Sequence, residues 1–288
     1  MTASSQALNR AHTPTPILSG YSLEMTIREG QALQSVAPAL PSGTSVAIAF
    51  LPGEELESRV AVARHVRALG FEPKVHLPAR RIRSAQQLDS LLGALSAEAR
   101  LRQVLVIAGD TDAPAGPYAD ALSVIETGLL ETHGIRQVSI GGHPEGHPAM
   151  TPAQCNDWLM RKVVAITARG MDADIVTQFG FDADAMLHWL DALRALPIPV
   201  PVALGVPGPT SARKLLAYAA RCGVGASTSV LRKYGLSLTS LMTATGPDRM
   251  VNALESGLAD GRHGPVSLHF YPFGGLENLT DWIAARRP

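Results

Sequence analysis

The stretch EELESRVAVARHVRALG (residues 54–70), followed by PKVHLP (residues 73–78), indicates the fold of this 288-residue chain. In the first segment, apolar side chains recur at intervals of three and four residues and form one stripe along a helix. They are Leu56, Val60, Ala63, Val66 and Leu69. Gly70 ends the helix, and PKVHLP has the length and apolar content of a buried strand. A helix followed directly by such a strand is the repeating unit of parallel α/β sheets.

The same alternation of strand and helix continues along the chain. Eight short apolar runs are strand candidates: residues 17–26, 45–50, 73–78, 103–110, 137–144, 174–181, 200–208 and 266–272. Eight β/α units in about 250 residues, with no linker between them, predict a closed (β/α)8 TIM barrel. A doubly wound open sheet of similar size is the alternative. We expect near-continuous apolar strands, as in parallel sheets that are covered on both faces.

The barrel is predicted to form a single catalytic domain over residues 17–288. Residues 1–16, which are rich in Ser, Thr and Pro, are expected to form a flexible N-terminal arm. Residues 225–263 exceed one crossover connection between the seventh helix and the eighth strand. We therefore expect extra helices there, which would cover one mouth of the barrel.

Charge, hydrophobic segments and cysteine content limit the classes of protein to which the chain can belong. The chain has 25 basic and 25 acidic residues, so its charge gives no reason to expect a nucleic-acid or anionic-membrane partner. No apolar run approaches the length of a membrane span, and the first 20 residues lack the apolar core of a signal peptide. Cys155 and Cys222 are too few for a disulfide framework and are expected to be small buried hydrophobes. These features predict a cytoplasmic protein.

Polar side chains follow the predicted strands near their C-terminal ends. They are Glu24, His76, Asp110, His143, Glu145, His147, Gln178 and Tyr271. In a TIM barrel these ends meet at one mouth, where catalysis takes place. The sequence therefore predicts a functional site built from several strands at that mouth.

Two carboxylates have both a chemical and a structural interpretation. Glu24 interrupts the apolar run YSLEMT, so its carboxyl is expected to be poorly solvated, with a raised pKa suited to acid catalysis. Pairing with a neighbouring arginine is the structural alternative. Asp110 ends VLVIAGD, where it could act in the site or cap the segment that follows.

The string GGHPEGHP, residues 141–148, raises the question of a metal site. Two histidines four residues apart bind zinc well from a helix, but Pro144 and Gly146 exclude a helix here. We therefore expect no metal, and a metal-dependent barrel hydrolase or lyase that uses His143, Glu145 and His147 stays as an alternative. No activated nucleophile or phosphate-binding loop of known type is present in the sequence.

Taken together, these segments resemble the methylenetetrahydrofolate reductase family over most of residues 20–285. SLEMT is similar to the first strand of the family, Ser-Phe-Glu-Phe, and HLPAR to its His-Leu-Thr segment. VLVIAGD resembles Leu-Arg-Gly-Asp. The two most specific similarities are GGHPEGHP to Gly-Tyr-Pro-Glu-Gly-His-Pro, and ADIVTQFGFD to Ala-Asp-Phe-Ile-Ile-Thr-Gln-Phe-Phe-Phe-Asp.

The resemblance implies a TIM barrel that binds FAD at its C-terminal mouth and passes hydride between NAD(P)H and tetrahydrofolate derivatives. It implies that Glu24 is the general acid and that Asp110 influences the flavin and the pterin electrostatically. Gln178, Asp110 and Tyr271 would bind substrate. The residues implied at the cofactor are His76, Ala108, Gly109, Asp110, His143, His147 and Lys162. A homo-oligomer is also expected.

The sequence departs from the family mainly on the cofactor side. Ala108 replaces an arginine, His143 replaces a tyrosine, and Ile166 stands where the family has a lysine, with Lys162 one turn earlier. These changes predict weaker or different flavin binding, or direct hydride transfer with a nicotinamide. Oxidation of 5-methyltetrahydrofolate in a demethylation pathway and non-catalytic folate binding are the further alternatives.

Overall fold

The structure, a computed structural model, describes residues 17–221 and 246–286. Eight parallel strands close into a barrel in chain order, with β8 paired to β1. They are β1 (Ser22–Met25), β2 (Ser45–Ile48), β3 (Glu72–Pro78), β4 (Gln103–Ile107), β5 (Gln137–Gly142), β6 (Asp172–Phe179), β7 (Val202–Pro207) and β8 (Val266–Tyr271). The predicted TIM barrel is confirmed, and the open sheet is excluded.

Helices alternate with these strands. They are α1 (Gly30–Val36), α2 (Ser58–Ala68), α3 (Ala85–Ala99), α4 (Ala121–Ile125), α5 (Leu129–Thr132), α6 (Pro152–Thr167), α7 (Ala183–Arg194), α8 (Ala212–Arg221), α9 (Asp248–Leu258) and α10 (Leu276–Arg286). The helix α9 precedes β8 and lies within the region predicted to hold extra helices. The rest of that prediction, at residues 225–245, lies outside the described residues, as do the N-terminal arm and Cys222. None of the described helices is long and apolar enough to cross a bilayer.

The main apolar core lies between the barrel and its helices. Alternate strand residues such as Val75, Leu77 and Val104 point outward and pack, fully buried, against the helices. The helices contribute their apolar stripe, which for α2 includes the predicted Val60, Ala63 and Val66. Burial of both surfaces supplies the main free energy that holds each helix on the barrel.

The barrel lumen differs from the sequence expectation of near-continuous apolar strands. The inward positions of β3 are Lys74 and His76, and both are buried. Ser139 on β5 and Asp174 on β6 are also buried in the lumen, and Lys74 contacts Asp174. The strands therefore alternate between apolar residues that face the helices and inward residues that include several polar groups.

A bulge in β6 shapes the mouth of the barrel. The pairing of β6 with β7 shifts register between Val176 and Phe179, so the intervening Gln178 is displaced from regular pairing. Gly205 on β7 lies against this bulge, and an added Cβ would lie 2.6 Å from the Thr177 carbonyl oxygen. Only glycine allows the two strands to approach this closely.

Candidate functional site

The centre of the candidate site is the carboxyl of Glu24 on β1, near the inner end of the mouth. Its Oε2 atom lies 3.4 Å from Nε2 of His76 on β3 and 3.8 Å from Nε2 of His269 on β8. Glu24 keeps 19% of its side-chain surface exposed, whereas His269 keeps 1%. The carboxyl can therefore be reached from the mouth, and the two imidazoles lie beside it.

The electrostatics of this cluster favour a protonated carboxyl and neutral imidazoles. Burial raises the pKa of Glu24 above its ordinary value of 4.5; His76 opposes the rise, and Glu29 adds to it. Burial lowers the pKa of His76 to about 4, although Glu24 acts in the other direction. Burial, assisted by Lys74, lowers the pKa of His269 to about 3. Near neutral pH the two histidines therefore carry no charge, and the raised pKa of Glu24 shifts its carboxyl towards the protonated form, which is the form that donates a proton.

The orientation of His269 is fixed from below. Its Nδ1 atom lies 2.8 Å from the Ser22 hydroxyl, a hydrogen bond between β8 and β1. The Nε2 atoms of His76 and His269 have no hydrogen-bond partner within the described ranges. Buried polar atoms normally have a hydrogen-bond partner, and leaving one without a partner costs free energy of folding. These two nitrogens therefore lower the stability of the fold at this cluster.

An aromatic cluster forms one wall of the mouth beside Gln178. The ring of Phe273 stacks on Tyr218 with centroids 4.1 Å apart, and it contacts Phe179 and Tyr271 edge-on or tilted. The hydroxyl of Tyr271 donates to the Thr177 carbonyl oxygen at 3.0 Å, which ties β8 to the β6 bulge. A half-buried amide beside stacked aromatic rings can hold a flat heterocycle by stacking and hydrogen bonding.

A second polar group lies where β5 meets α6. The rings of His143 and His147 meet edge to face with centroids 4.7 Å apart. Burial lowers the pKa of His143 to about 4 and, with only partial relief from Asp120 and Cys155, that of Lys162 to about 8. A half-buried ammonium beside two imidazoles is a donor set suited to an anionic oxygen ligand.

Lys162 reaches this position because α6 begins at a fixed point. Thr151 and Gln154 form a capping box at its first turn, and Pro152 occupies the first helical position. The helix places Lys162 about three turns later, on the side that meets the β5 loop.

Glu145 does not join its neighbouring histidines. Its Oε1 atom accepts hydrogen bonds from the backbone N–H groups of Phe181 and Asp182, at 2.5 and 2.8 Å, just before α7. Across the described ranges, no three His, Cys, Asp or Glu side chains are placed to share a metal ion. The geometry there gives no support to the metal-dependent alternative, and the proline- and glycine-rich loop acts as a clamp between β5 and α7.

The β4 end of the mouth holds a separate pair. The carboxyl of Asp110, half exposed, accepts two hydrogen bonds from Arg81, the shorter at 2.8 Å. The Ala108 carbonyl oxygen accepts from the Arg80 N–H at 2.9 Å, and Gly109 has φ of 99°, a conformation suited to glycine. Arg81 thus supplies a cation beside Asp110.

Sequence reasoning missed several buried polar residues of the barrel lumen. They are Ser22, Lys74, Ser139, Asp174 and His269. A signal for them exists, because in PKVHLP and VSLHFY the polar residues alternate with apolar ones at a period of two. That alternation predicts two faces of different polarity rather than a strand that is apolar on both.

The same fold occurs in known structures, although no protein-family model matches the sequence. An uncharacterised protein of Clostridium thermocellum that binds two copies of 5-methyl-5,6,7,8-tetrahydrofolic acid matches with a TM-score of 0.64 and 12% identity, over 92% of each chain. The two chains share one fold. Dihydropteroate synthase of Thermus thermophilus gives a TM-score of 0.49 and 14% identity, over 93% of this chain and 94% of that one. At 12% identity the first of these matches shows the shared barrel fold and no more.

Proposed function

We propose that the chain is a folate oxidoreductase of the methylenetetrahydrofolate reductase type, which interconverts 5,10-methylenetetrahydrofolate and 5-methyltetrahydrofolate. The observation that carries the proposal is the Glu24 carboxyl, which lies at the inner end of the mouth, with a raised pKa, beside two neutral imidazoles. This is the arrangement required of a general acid that works near neutral pH. The sequence resemblance, which includes this glutamate, points to the same chemistry.

The proposed reaction needs one proton and one hydride. Protonated Glu24 donates its proton to N10 of the substrate as the bond from N10 to the methylene carbon breaks, leaving a positively charged iminium at N5. Hydride addition to the methylene carbon then gives the N5-methyl group, and Glu24 regains its proton from solvent. The oxidative direction reverses each step, with the Glu24 carboxylate accepting the proton. Gln178 would hydrogen-bond the pterin, with the aromatic wall of Tyr271 and Phe273 beside it.

The folate assignment has support from the structural neighbour. The Clostridium thermocellum protein of the same fold binds 5-methyl-5,6,7,8-tetrahydrofolic acid, which is the methylated partner in the proposed reaction. A TIM barrel binds its ligands at the C-terminal mouth, where Glu24, Gln178 and Tyr271 converge in this chain.

FAD and NAD(P)H are the proposed cofactors, and the donor set beside β5 fits their phosphates. Lys162, His143 and His147 would bind the phosphates there, since a half-buried ammonium without an ion pair among the described residues favours an anion. Bound FAD would supply a hydride relay between nicotinamide and folate. Asp110 and Gly109 at the β4 end are proposed to lie along the flavin, whereas His76 lies beside Glu24.

The proposal is tested by recording the visible absorption spectrum of the purified protein during an FAD titration, followed by turnover assays with NADH and NADPH. Saturable binding with a perturbed flavin band, and formation of 5-methyltetrahydrofolate, are the expected results. Turnover without flavin binding would place the hydride donor directly at the folate. Tight binding of 5-methyltetrahydrofolate with no turnover in either direction would identify a folate-binding protein instead and overturn the enzymatic proposal.

A further inference from the structure

Two consecutive arginines, Arg80 and Arg81, contact the loop that follows β4. Both belong to the single 3₁₀ turn that comes directly after β3. The Arg80 N–H donates to the Ala108 carbonyl oxygen at 2.9 Å, and its Nη1 donates to that of Thr111 at 3.0 Å. The backbone is therefore held on both sides of Asp110.

Arg81 holds the side chain of Asp110 in a one-sided way. Its Nε and Nη2 atoms both donate to Oδ1 of the carboxylate, at 3.1 and 2.8 Å. Oδ2 accepts no hydrogen bond from the described residues, and half of the Asp110 side chain is exposed. One carboxylate oxygen is thus occupied by the guanidinium, and the other is available to a ligand.

The guanidinium of Arg81 is supported in turn by an aromatic ring from the end of β2. Its central carbon lies 5.6 Å from the ring centroid of Phe50, and that of Arg59 lies 4.3 Å from the same centroid. Arg59 on α2 is fully buried and donates to Oε2 of Glu54 at 2.6 Å. Phe50 therefore has a fixed support on α2, and Arg81 lies between Phe50 and Asp110 with only 27% of its side chain exposed.

Stability alone does not explain this arrangement. Exposed ion pairs contribute little to stability, because water screens the charges and both side chains lose freedom, and Asp110 is half exposed. The pair has a larger effect on the orientation of the carboxylate. A free aspartate side chain rotates, and a ligand that binds it must stop that rotation at a cost in entropy. A planar guanidinium with two N–H groups on one oxygen removes much of this freedom before the ligand binds.

We propose that Arg81 is a positioning residue that orients Asp110, so that Oδ2 of the carboxylate faces the ligand in the mouth and accepts a hydrogen bond from an N–H group of the pterin. This inference rests on the proposed role of Asp110 in binding folate. The pyrimidine ring of a pterin carries N–H groups, and an ionised carboxylate is an acceptor for them. Arg81 itself does not touch the ligand, so its whole effect on binding passes through Asp110.

The test is a double-mutant cycle on the affinity of the full-length protein for 5-methyltetrahydrofolate, measured by isothermal titration calorimetry. The variants are Arg81→Met, Asp110→Ala and the two combined, and circular dichroism confirms that each is folded. Arg81→Met should weaken binding about tenfold in the wild type and less than about twofold in the Asp110→Ala protein, where no carboxylate remains to be oriented. Equal losses in the two backgrounds would show that Arg81 acts independently of Asp110 and would overturn the positioning role.

Two further variants separate orientation from charge. Arg83→Met is the matched control, because it removes a positive charge two residues away that is largely exposed and pairs with Glu55. It should change the affinity by less than about twofold, and a loss equal to that of Arg81→Met would contradict the proposal. Arg81→Lys keeps the charge but lacks the planar guanidinium, so most of the loss should remain. Wild-type affinity in Arg81→Lys would show that charge alone suffices and would also contradict it.

The orientation of Asp110 can be measured without a ligand. In ¹H–¹⁵N NMR of the arginine side chains, the Nε–H signal of Arg81, assigned by its loss in Arg81→Met, should be sharp in the wild type and broadened by solvent exchange in Asp110→Ala. A wild-type signal already broadened by exchange would overturn the fixed pair. This readout decides whether Arg81 holds Asp110 even if the wild-type protein binds no folate, and that second result would remove only the proposed function.

Discussion

Replacing Gly205 with alanine should destabilise the barrel at the point where β6 and β7 meet beside Gln178. The added Cβ would lie 2.6 Å from the carbonyl oxygen of Thr177 and 2.7 Å from that of Gln178. Both are backbone atoms, so the clash cannot be relieved by rotation of a side chain. The Gly205 N–H also donates to the Thr177 hydroxyl at 2.8 Å, and this bond would be strained by any separation of the strands.

The size of the destabilisation can be estimated from the overlap between the added Cβ and the two carbonyl oxygens. Close carbon–oxygen contacts in proteins lie at about 3.3–3.6 Å, so the strands must separate by more than about half an ångström. Overpacking of this kind costs about 1–3 kcal/mol, and weakening one buried hydrogen bond adds about 1 kcal/mol. We therefore expect the free energy of unfolding to fall by about 2–4 kcal/mol. Affinity for the proposed folate substrate should fall as well, because the β6 bulge carries Gln178.

The matched control is Gly93→Ala in the middle of α3. A Cβ there would approach only His133, with its nearest atom at 3.5 Å, an ordinary contact. The substitution should stabilise the protein by about 0.5–1 kcal/mol, since alanine is the better helix former. Urea denaturation of both variants measures the two effects. A Gly205→Ala protein within about 0.5 kcal/mol of the wild type would refute the close approach at the bulge.

Two further predictions concern the stability of the protein: the effect of replacing Glu145 in the loop clamp, and the effect of pH through the buried lumen histidines. Glu145→Ala should lower the free energy of unfolding by about 1–3 kcal/mol, because two backbone N–H groups lose a charged acceptor. Glu145→Gln should lower it less, because the glutamine side chain retains an acceptor oxygen. Equal losses of the two variants in urea denaturation would contradict the role of Glu145 as a clamp. Stability should also fall as the pH drops from 6.5 towards 4, by up to about 1.4 kcal/mol per pH unit for each buried histidine. The unfolded chain takes up protons at its ordinary histidine pKa, whereas folded His76 and His269 do not. His269→Asn should flatten this pH dependence, and an unchanged slope would show that His269 is not the cause.

The fold was predictable because its signal is repeated. Apolar stripes such as that of α2, each followed by a short strand, occur often enough along the chain to predict a closed barrel. The alternation of inward-facing and outward-facing residues along the strands could also be predicted from the sequence. The interpretation of the strands as near-continuous apolar runs overlooked it. Lys74 and His76 alternate with Val75 and Leu77, and that alternation distinguishes the lumen from the helix-facing surface.

The candidate site was predictable in part. Glu24 stood out because a single carboxylate interrupts an apolar run, and the structure places it at the inner end of the mouth. The contact of Lys74 with Asp174 joins residues 100 positions apart, and no local pattern reveals such a pair. The same holds for Arg81 and Asp110, which meet only because β3 and β4 are neighbours in the barrel. Glu145 looked like a ligand in sequence, but the path of the chain directs it to the backbone before α7.

The most direct test of the account is a comparison of two half-reactions in wild type and in Glu24→Gln. Glutamine keeps the shape of the side chain and cannot donate an acidic proton, so reduction of 5,10-methylenetetrahydrofolate should fall by about 100-fold or more. Reduction of the proposed FAD cofactor by NAD(P)H, which needs no proton from Glu24, should keep nearly its wild-type rate. Equal loss in the two half-reactions, or folate turnover that survives the substitution, would contradict the assignment of Glu24 as the general acid.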